Sequence, residues 1–206
     1  MNFLWYTHWF ISIRVSQLKD HSISVYQSSY ATSVVAKYLD TATIKEKEKF
    51  RKTTLHCDMI FIKEYAYAND EQVEVLYGEY NIHYRACIGS LIYILSTRVD
   101  LWFSVHKLVK LSSNPDELHF EGLVNLLIYI RDNNNLGMRY CAKIEDANIS
   151  DLWGQAIIKT DNQLIVFSDS RWKYFPDTGR SIRSYIIFYQ GVPIYHCTHV
   201  PVPVFQ

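Results

Sequence analysis

Apolar and polar residues alternate over residues 10–25, and the alternation is interrupted by a polar turn at residues 19–22. A period of two predicts a β-hairpin with one buried face. Over residues 30–39 the apolar positions change to helical spacing, which predicts an amphipathic helix. Ser28 or Ser29 is the expected cap of that helix, because hydroxyl side chains satisfy free N–H groups in the first turn.

The sharpest helical pattern lies within residues 84–132. Residues 84–95 place apolar side chains at i, i+3, i+4, i+7 and i+8, which predicts a helix buried on more than one side. A second helix is expected after Asp100, which would cap it, and a third after Asn114 and the proline that follows it. Residues 40–80 show little periodicity and predict no long element.

The last part of the chain predicts a sheet. Short apolar runs bounded by polar residues are typical of strands, and they occur at residues 136–141, 164–167, 185–189 and 193–196. A hairpin, then helices, then a meander is the order of an α+β fold. We expect two pieces, residues 1–140 and residues 141–206.

The composition excludes several classes of protein. Apolar residues make up 49% and aromatic residues 15% of the 206 positions, so the chain can bury a core and is not disordered as a whole. Lys and Arg total 21 and so do Asp and Glu, so the charge does not indicate strong electrostatic binding of nucleic acid. The four cysteines form no C-x-x-C pair, which favours reduced thiols over a zinc site.

The N-terminal residues 1–13 are apolar but lack the features of a signal peptide. They have no basic start and no small-residue cleavage site, and His8 interrupts the apolar run. No uninterrupted run of about 18 apolar residues occurs, so we expect no transmembrane helix. We therefore expect an intracellular protein that is not secreted and has no membrane partner.

Several short motifs follow one another along the chain. They are Tyr84-Arg85, Gly89-Ser90-Leu91-Ile92-Tyr93, Thr97-Arg98-Val99-Asp100-Leu101, Asn114-Pro115 with His119, Leu136-Gly137-Met138-Arg139-Tyr140, and residues 164–185. In this order they resemble the C-terminal part of a copia-type retrotransposon polyprotein. The resemblance covers the end of the reverse transcriptase and the start of the ribonuclease H domain.

The resemblance implies a fold and a set of partners. Residues 10–39 would be the end of the polymerase palm and the first thumb helix, the next helices a thumb and connection segment, and the tail a partial ribonuclease H-like β-meander. In the parent polyprotein the segment would hold an RNA–DNA hybrid or a template–primer. The chain departs from the family at Val99, at Arg171 and at residues 182–184, and it lacks the polymerase's metal-binding Y-x-D-D strand.

The resemblance also implies one metal ligand. Family members cleave RNA with two Mg²⁺ or Mn²⁺ ions, which several carboxylates hold. Asp169 matches the first of these carboxylates, but no Glu follows Glu145 and no Asp follows Asp177. One carboxylate cannot hold two ions, so we expect no cofactor in this chain alone and no catalysis by it.

Three functional hypotheses follow. The first is a truncated, inactive polyprotein fragment. The second is a non-catalytic module that binds an RNA–DNA hybrid, and the third is a nuclease completed by a partner chain that associates through an exposed sheet edge. The basic residues that would serve the second hypothesis are Lys37, Lys45, Lys49, Arg51, Lys52, Arg85 and Lys107.

Overall fold

The computed structural model describes residues 8–39, 68–110, 112–141, 164–171, 182–189 and 192–199. In chain order the elements are β1 (His8–Phe10), β2 (Ile13–Gln17), β3 (Ile23–Tyr26), α1 (Ser28–Tyr38), α2 (Asp70–Tyr80), α3 (Tyr84–Ile94), a 3-10 turn (Val99–Leu101), α4 (Trp102–Val109), α5 (Glu117–Asp132), β4 (Met138–Tyr140), β5 (Leu164–Arg171), β6 (Ile182–Tyr189) and β7 (Val192–His199). The predicted α+β class is confirmed.

The chain divides into two compact units. One comprises residues 7–15 and 25–138, and the other comprises residues 1–6, 16–24 and 139–206. The division into residues 1–140 and 141–206 stays a prediction. No helix in the described ranges is long and apolar enough to span a bilayer.

The first sheet has the strand order β1-β2-β3-β4 and begins with a tight hairpin. β1 pairs antiparallel with β2, with Phe10 opposite Ile13, so Ile11 and Ser12 form a two-residue turn. Both turn residues have positive φ, 47° and 61°, a conformation that favours Gly and Asn. The alternation predicts one strand before the turn at residues 19–22, and the structure corrects this to two.

The second turn of this sheet, at residues 18–22, connects β2 to β3 as the alternation predicts. The Leu18 N–H donates to the Ser22 carbonyl at 2.8 Å. The Asp20 carboxylate accepts from the Ser22 N–H at 3.1 Å and from the Arg139 guanidinium at 2.5 Å. Hydrogen bonds from the Ser22 hydroxyl and N–H, and then the charge of Arg139, lower the pKa of Asp20 to about 2.

The helical core is built around α5. α1, α2 and α4 all contact α5, and α3 contacts α1 and α4. The fully buried side chains of α5 include Phe120, Leu123, Leu126, Leu127 and Ile130. This agrees with the apolar face that the sequence places on the third helix.

The helix starts differ from the predicted caps. Gln27, not Ser28 or Ser29, occupies the cap position of α1, and no side chain caps it. Asp100 lies in the 3-10 turn and does not cap α4, which follows Leu101. α5 begins after Asp116, two residues beyond the predicted cap at Asn114.

α2 is a helix that the sequence analysis missed. Its face shows only two buried residues, Val73 and Tyr80, so the apolar periodicity is weak. The helix begins instead with a capping box, in which the Asn69 side chain accepts from the Gln72 N–H at 2.8 Å. The Gln72 side chain in turn accepts from the Asn69 N–H at 3.0 Å.

The second sheet is a three-stranded antiparallel meander, β5-β6-β7. The strands extend beyond the predicted runs, and the register places Asp169 opposite Ser184 and Ser184 opposite Thr198. Among the described side chains of this sheet only Val192 is buried, while Leu164 and Val166 are 64% and 57% exposed.

Candidate nucleic-acid interface and candidate metal ligand

The predicted metal ligand, Asp169, lies on β5 with its side chain exposed. Its carboxylate accepts the N–H of the next residue, Ser170, at 2.8 Å. The neighbour across the sheet is Ser184, whose hydroxyl brings no charge. No group of three His, Cys, Asp or Glu residues that could hold a metal ion occurs in the described part of the chain. Among the described residues, Asp169 is therefore the one carboxylate that a divalent cation could bind at this position.

The basic residues named from the sequence lie on three helices, in so far as they are described. Lys37 is exposed near the end of α1, with its Nζ 4.9 Å from the centroid of the Tyr38 ring. Arg85 at the start of α3 donates to the carbonyls of Ser112 at 2.8 Å and Ser113 at 3.1 Å. Its guanidinium therefore ties α3 to the segment before α5. Lys45, Lys49, Arg51 and Lys52 lie outside the described residues.

Lys107 belongs to an aromatic and basic face of α4. Phe103 is 53% exposed, and Lys107 and Lys110 follow it at four and seven positions, on the same side of the helix. His106 is exposed beside them, with its Nδ1 2.7 Å from the Trp102 carbonyl. Since a carbonyl only accepts, Nδ1 carries the proton. The sequence analysis named Lys107 alone and missed Phe103, because spacing does not show whether an aromatic residue of a helix is exposed.

The Thr-Arg-x-Asp motif forms a buried polar network. Arg98 is 2% exposed, and its guanidinium donates to both Asp100 carboxylate oxygens, at 2.9 and 2.7 Å. A third donor reaches the Asn133 carbonyl at 2.9 Å, at the end of α5. Burial is the main cause of the raised pKa of Tyr129, whose ring lies 5.8 Å from the guanidinium, and the charge of Asp100 adds to it. The motif joins the α3–α4 corner to α5.

Thr97 of the same motif joins the corner to α1. Its buried hydroxyl donates to the Gln27 side-chain oxygen at 2.8 Å, and the Ser96 hydroxyl donates to the same oxygen at 3.0 Å. Gln27 is the residue before α1 and is itself 2% exposed. Thr97 therefore positions α1 through the side chain of Gln27, which the sequence analysis did not single out.

His119 completes the start of α5. Asp116 and His119 form a capping box, in which the His119 N–H donates to the Asp116 carboxylate at 3.1 Å. The Asp116 N–H donates to Nδ1 of His119 at 3.0 Å. Burial lowers the pKa of His119 more than the charge of Asp116 raises it. The capping box therefore holds the His119 ring against the start of α5.

Two further motif residues also serve packing. Tyr84 is fully buried, its hydroxyl donates to the Leu108 carbonyl at 3.1 Å, and burial raises its pKa. Gly137 lies against β3, where a Cβ would stand 2.5 Å from the Val25 carbonyl oxygen and 2.6 Å from the Cβ of Tyr26. Only glycine fits that approach without a shift of the backbone.

Comparison with known proteins gives one similarity. The chain is 29% identical over 93 residues to the uncharacterized mitochondrial protein AtMg00240 of Arabidopsis thaliana. The match covers 45% of this chain and 69% of that protein. No family model matches the chain, and no solved structure matches it. The name of the relative specifies no activity.

Proposed function

We propose that this chain is a scaffold segment of a copia-type reverse transcriptase and ribonuclease H polyprotein, without nuclease activity of its own. The observation that carries the proposal is the contact set of Arg98, a motif residue that is 2% exposed and donates three hydrogen bonds to Asp100 and Asn133. Tyr84, Thr97, His119 and Gly137 serve packing and capping in the same way. Residues used in this way hold the helices together.

The environment of Asp169 supports the second part of the proposal. A two-metal nuclease site needs carboxylates from several elements around ions about 4 Å apart. Asp169 stands on an exposed strand beside Ser184, and its carboxylate already accepts a backbone N–H. Such a carboxylate attracts a cation weakly, because water competes for it on its exposed side.

An intracellular location belongs to the same proposal. Cys87 and Cys197 are thiols that form no disulfide, and Cys87 is buried. Free thiols are typical of proteins in reducing compartments.

The test is a cleavage assay on an RNA–DNA hybrid with Mg²⁺ or Mn²⁺, with Asp169→Asn as the matched control. We expect no metal-dependent cleavage above that of the variant. Cleavage that the substitution abolishes would contradict the proposal and favour the third hypothesis, a nuclease completed by a partner chain. Cleavage that the substitution leaves unchanged would point to a contaminating nuclease, which a second purification removes.

A second candidate function, binding of an RNA–DNA hybrid, is favoured by one side of α4 and its C-cap, where Phe103 and Lys110 are exposed and Lys107 is half-buried. An aromatic ring beside cations can stack on a base while the cations contact phosphates. We expect Phe103→Ala combined with Lys107→Gln to weaken hybrid binding, and Lys19→Gln, in the exposed turn before β3, to leave it unchanged. Affinity that does not fall with rising salt would contradict this candidate.

A further inference from the structure

An open cleft lies between α2 and the start of α5. Its volume is about 660 Å³, within the range of about 300–1,000 Å³ that ligand sites occupy. Val75 and Leu76 of α2 and Leu118 of α5 give it an apolar lining. Val75 is 68% exposed and Leu118 48% exposed, so the apolar surface continues from the floor of the cleft onto its rim.

The charged residues of the cleft have one sign. Glu71, Asp116 and Glu117 line it, and its described lining includes no Lys, Arg or His. Each helix N-terminus contributes a partial charge of about +0.5, so the two starts offset about one of the three carboxylates. Asp116 caps α5, but Glu71 and Glu117 are exposed. The cleft therefore keeps a net negative potential around an apolar surface.

We propose that this cleft binds a peptide segment that carries apolar anchor residues flanked by Lys or Arg. An amphipathic helix can lay its apolar face on Val75 and Leu118, in the manner of helix-in-groove recognition, while its cations face Glu71 and Glu117. Because both apolar side chains are about half exposed or more, a small molecule in the floor would leave much of the rim in water. A peptide covers floor and rim together.

The proposal goes beyond the proposed function and uses other residues, since the hybrid-binding candidate rests on α4. The probe is a fluorescently labelled helical peptide with Leu on one face and Lys on its flanks, titrated with the full chain. A second peptide with Glu in place of Lys is the charge control. We expect saturable binding of the Lys peptide that weakens with salt, and no binding of the Glu peptide.

The decisive comparison is between two double variants with the same change in net charge. Glu71→Lys with Glu117→Lys alters the cleft, whereas Glu74→Lys with Glu79→Lys alters exposed residues of α2 outside its lining. We expect the first pair to weaken binding of the Lys peptide by about tenfold or more and the second pair by far less. Equal weakening by both pairs would overturn the proposal, because it would show unspecific attraction.

Three further measurements keep the test independent of folding and of ligand size. The double variant Glu71→Gln with Glu117→Gln keeps a polar side chain in the first turn of each helix, and circular dichroism verifies that it folds. If it binds the Lys peptide as tightly as the parent chain does, the role of charge is overturned. Val75→Ser should weaken binding, whereas Ile92→Ser, at an exposed apolar position of α3, should not. Hexylammonium binding as tightly as the peptide would show a small-cation site and overturn a peptide as the occupant.

Discussion

Removal of Asp100 tests whether the buried network of Arg98 holds the helical unit together. In Asp100→Ala, the Arg98 guanidinium keeps its bond to the Asn133 carbonyl but loses both carboxylate contacts. Removing one partner of a buried ion pair costs about 3–5 kcal/mol, because the remaining charge is left unpaired in a poorly hydrated site. The Asp100 side chain is 30% exposed, so water can enter the space that it leaves. We therefore expect a loss of about 2–3 kcal/mol in the free energy of unfolding.

Urea denaturation followed by circular dichroism measures that loss, with Arg98→Met and the double variant as companions. Arg98→Met removes the buried charge and leaves a half-exposed carboxylate, so it should cost less than Asp100→Ala. The double variant should be more stable than Asp100→Ala, because it leaves no unpaired charge. A double variant that loses the sum of the two single losses would refute the reasoning, as would a loss below about 1 kcal/mol for Asp100→Ala.

Three further predictions concern single positions. Gly137→Ala should destabilise the chain by about 2–3 kcal/mol in thermal or urea unfolding, because the new Cβ would clash with the backbone of β3. Gly89→Ala is the control: its Cβ would enter open space on α3, so it should be neutral or stabilising by about 0.5–1 kcal/mol. Asp20 has a folded pKa of about 2, below its ordinary 3.8, so its contribution to stability is present above pH 4 and is lost as the pH falls towards 2. Asp20→Asn should reduce the pH dependence of the free energy of unfolding between pH 4 and pH 2. An unchanged pH dependence would contradict the lowered pKa of Asp20. Burial raises the pKa of Cys87 to about 12, so this thiol should react with a thiol reagent at pH 8 only after unfolding, which mass spectrometry of the labelled peptides can follow.

The candidate site residues were predictable to different degrees. The apolar run before Asp169 places it on a strand, and the structure puts it on β5. The partners of Arg85 were not predictable, since its acceptors are backbone carbonyls 27 and 28 positions away and carbonyls carry no sequence signal. Phe103 was missed because an exposed aromatic residue in a helix has the same spacing as a core residue. Only its solvent exposure separates the two cases.

The sequence by itself determined the α+β class and the three helices between residues 84 and 132, because periodicity is local and records which face of an element is buried. The first of them begins at Tyr84 as predicted, but only the tertiary structure decided where the other two begin. Asp100 resembles a cap in the sequence, but a buried guanidinium two positions away takes its carboxylate. The Ile11–Ser12 turn likewise depends on a distant contact, a hydrogen bond from the Tyr93 hydroxyl to the Ile11 carbonyl. Caps and strained turns are settled by such competing partners, and partners remote in the sequence meet only in the folded chain.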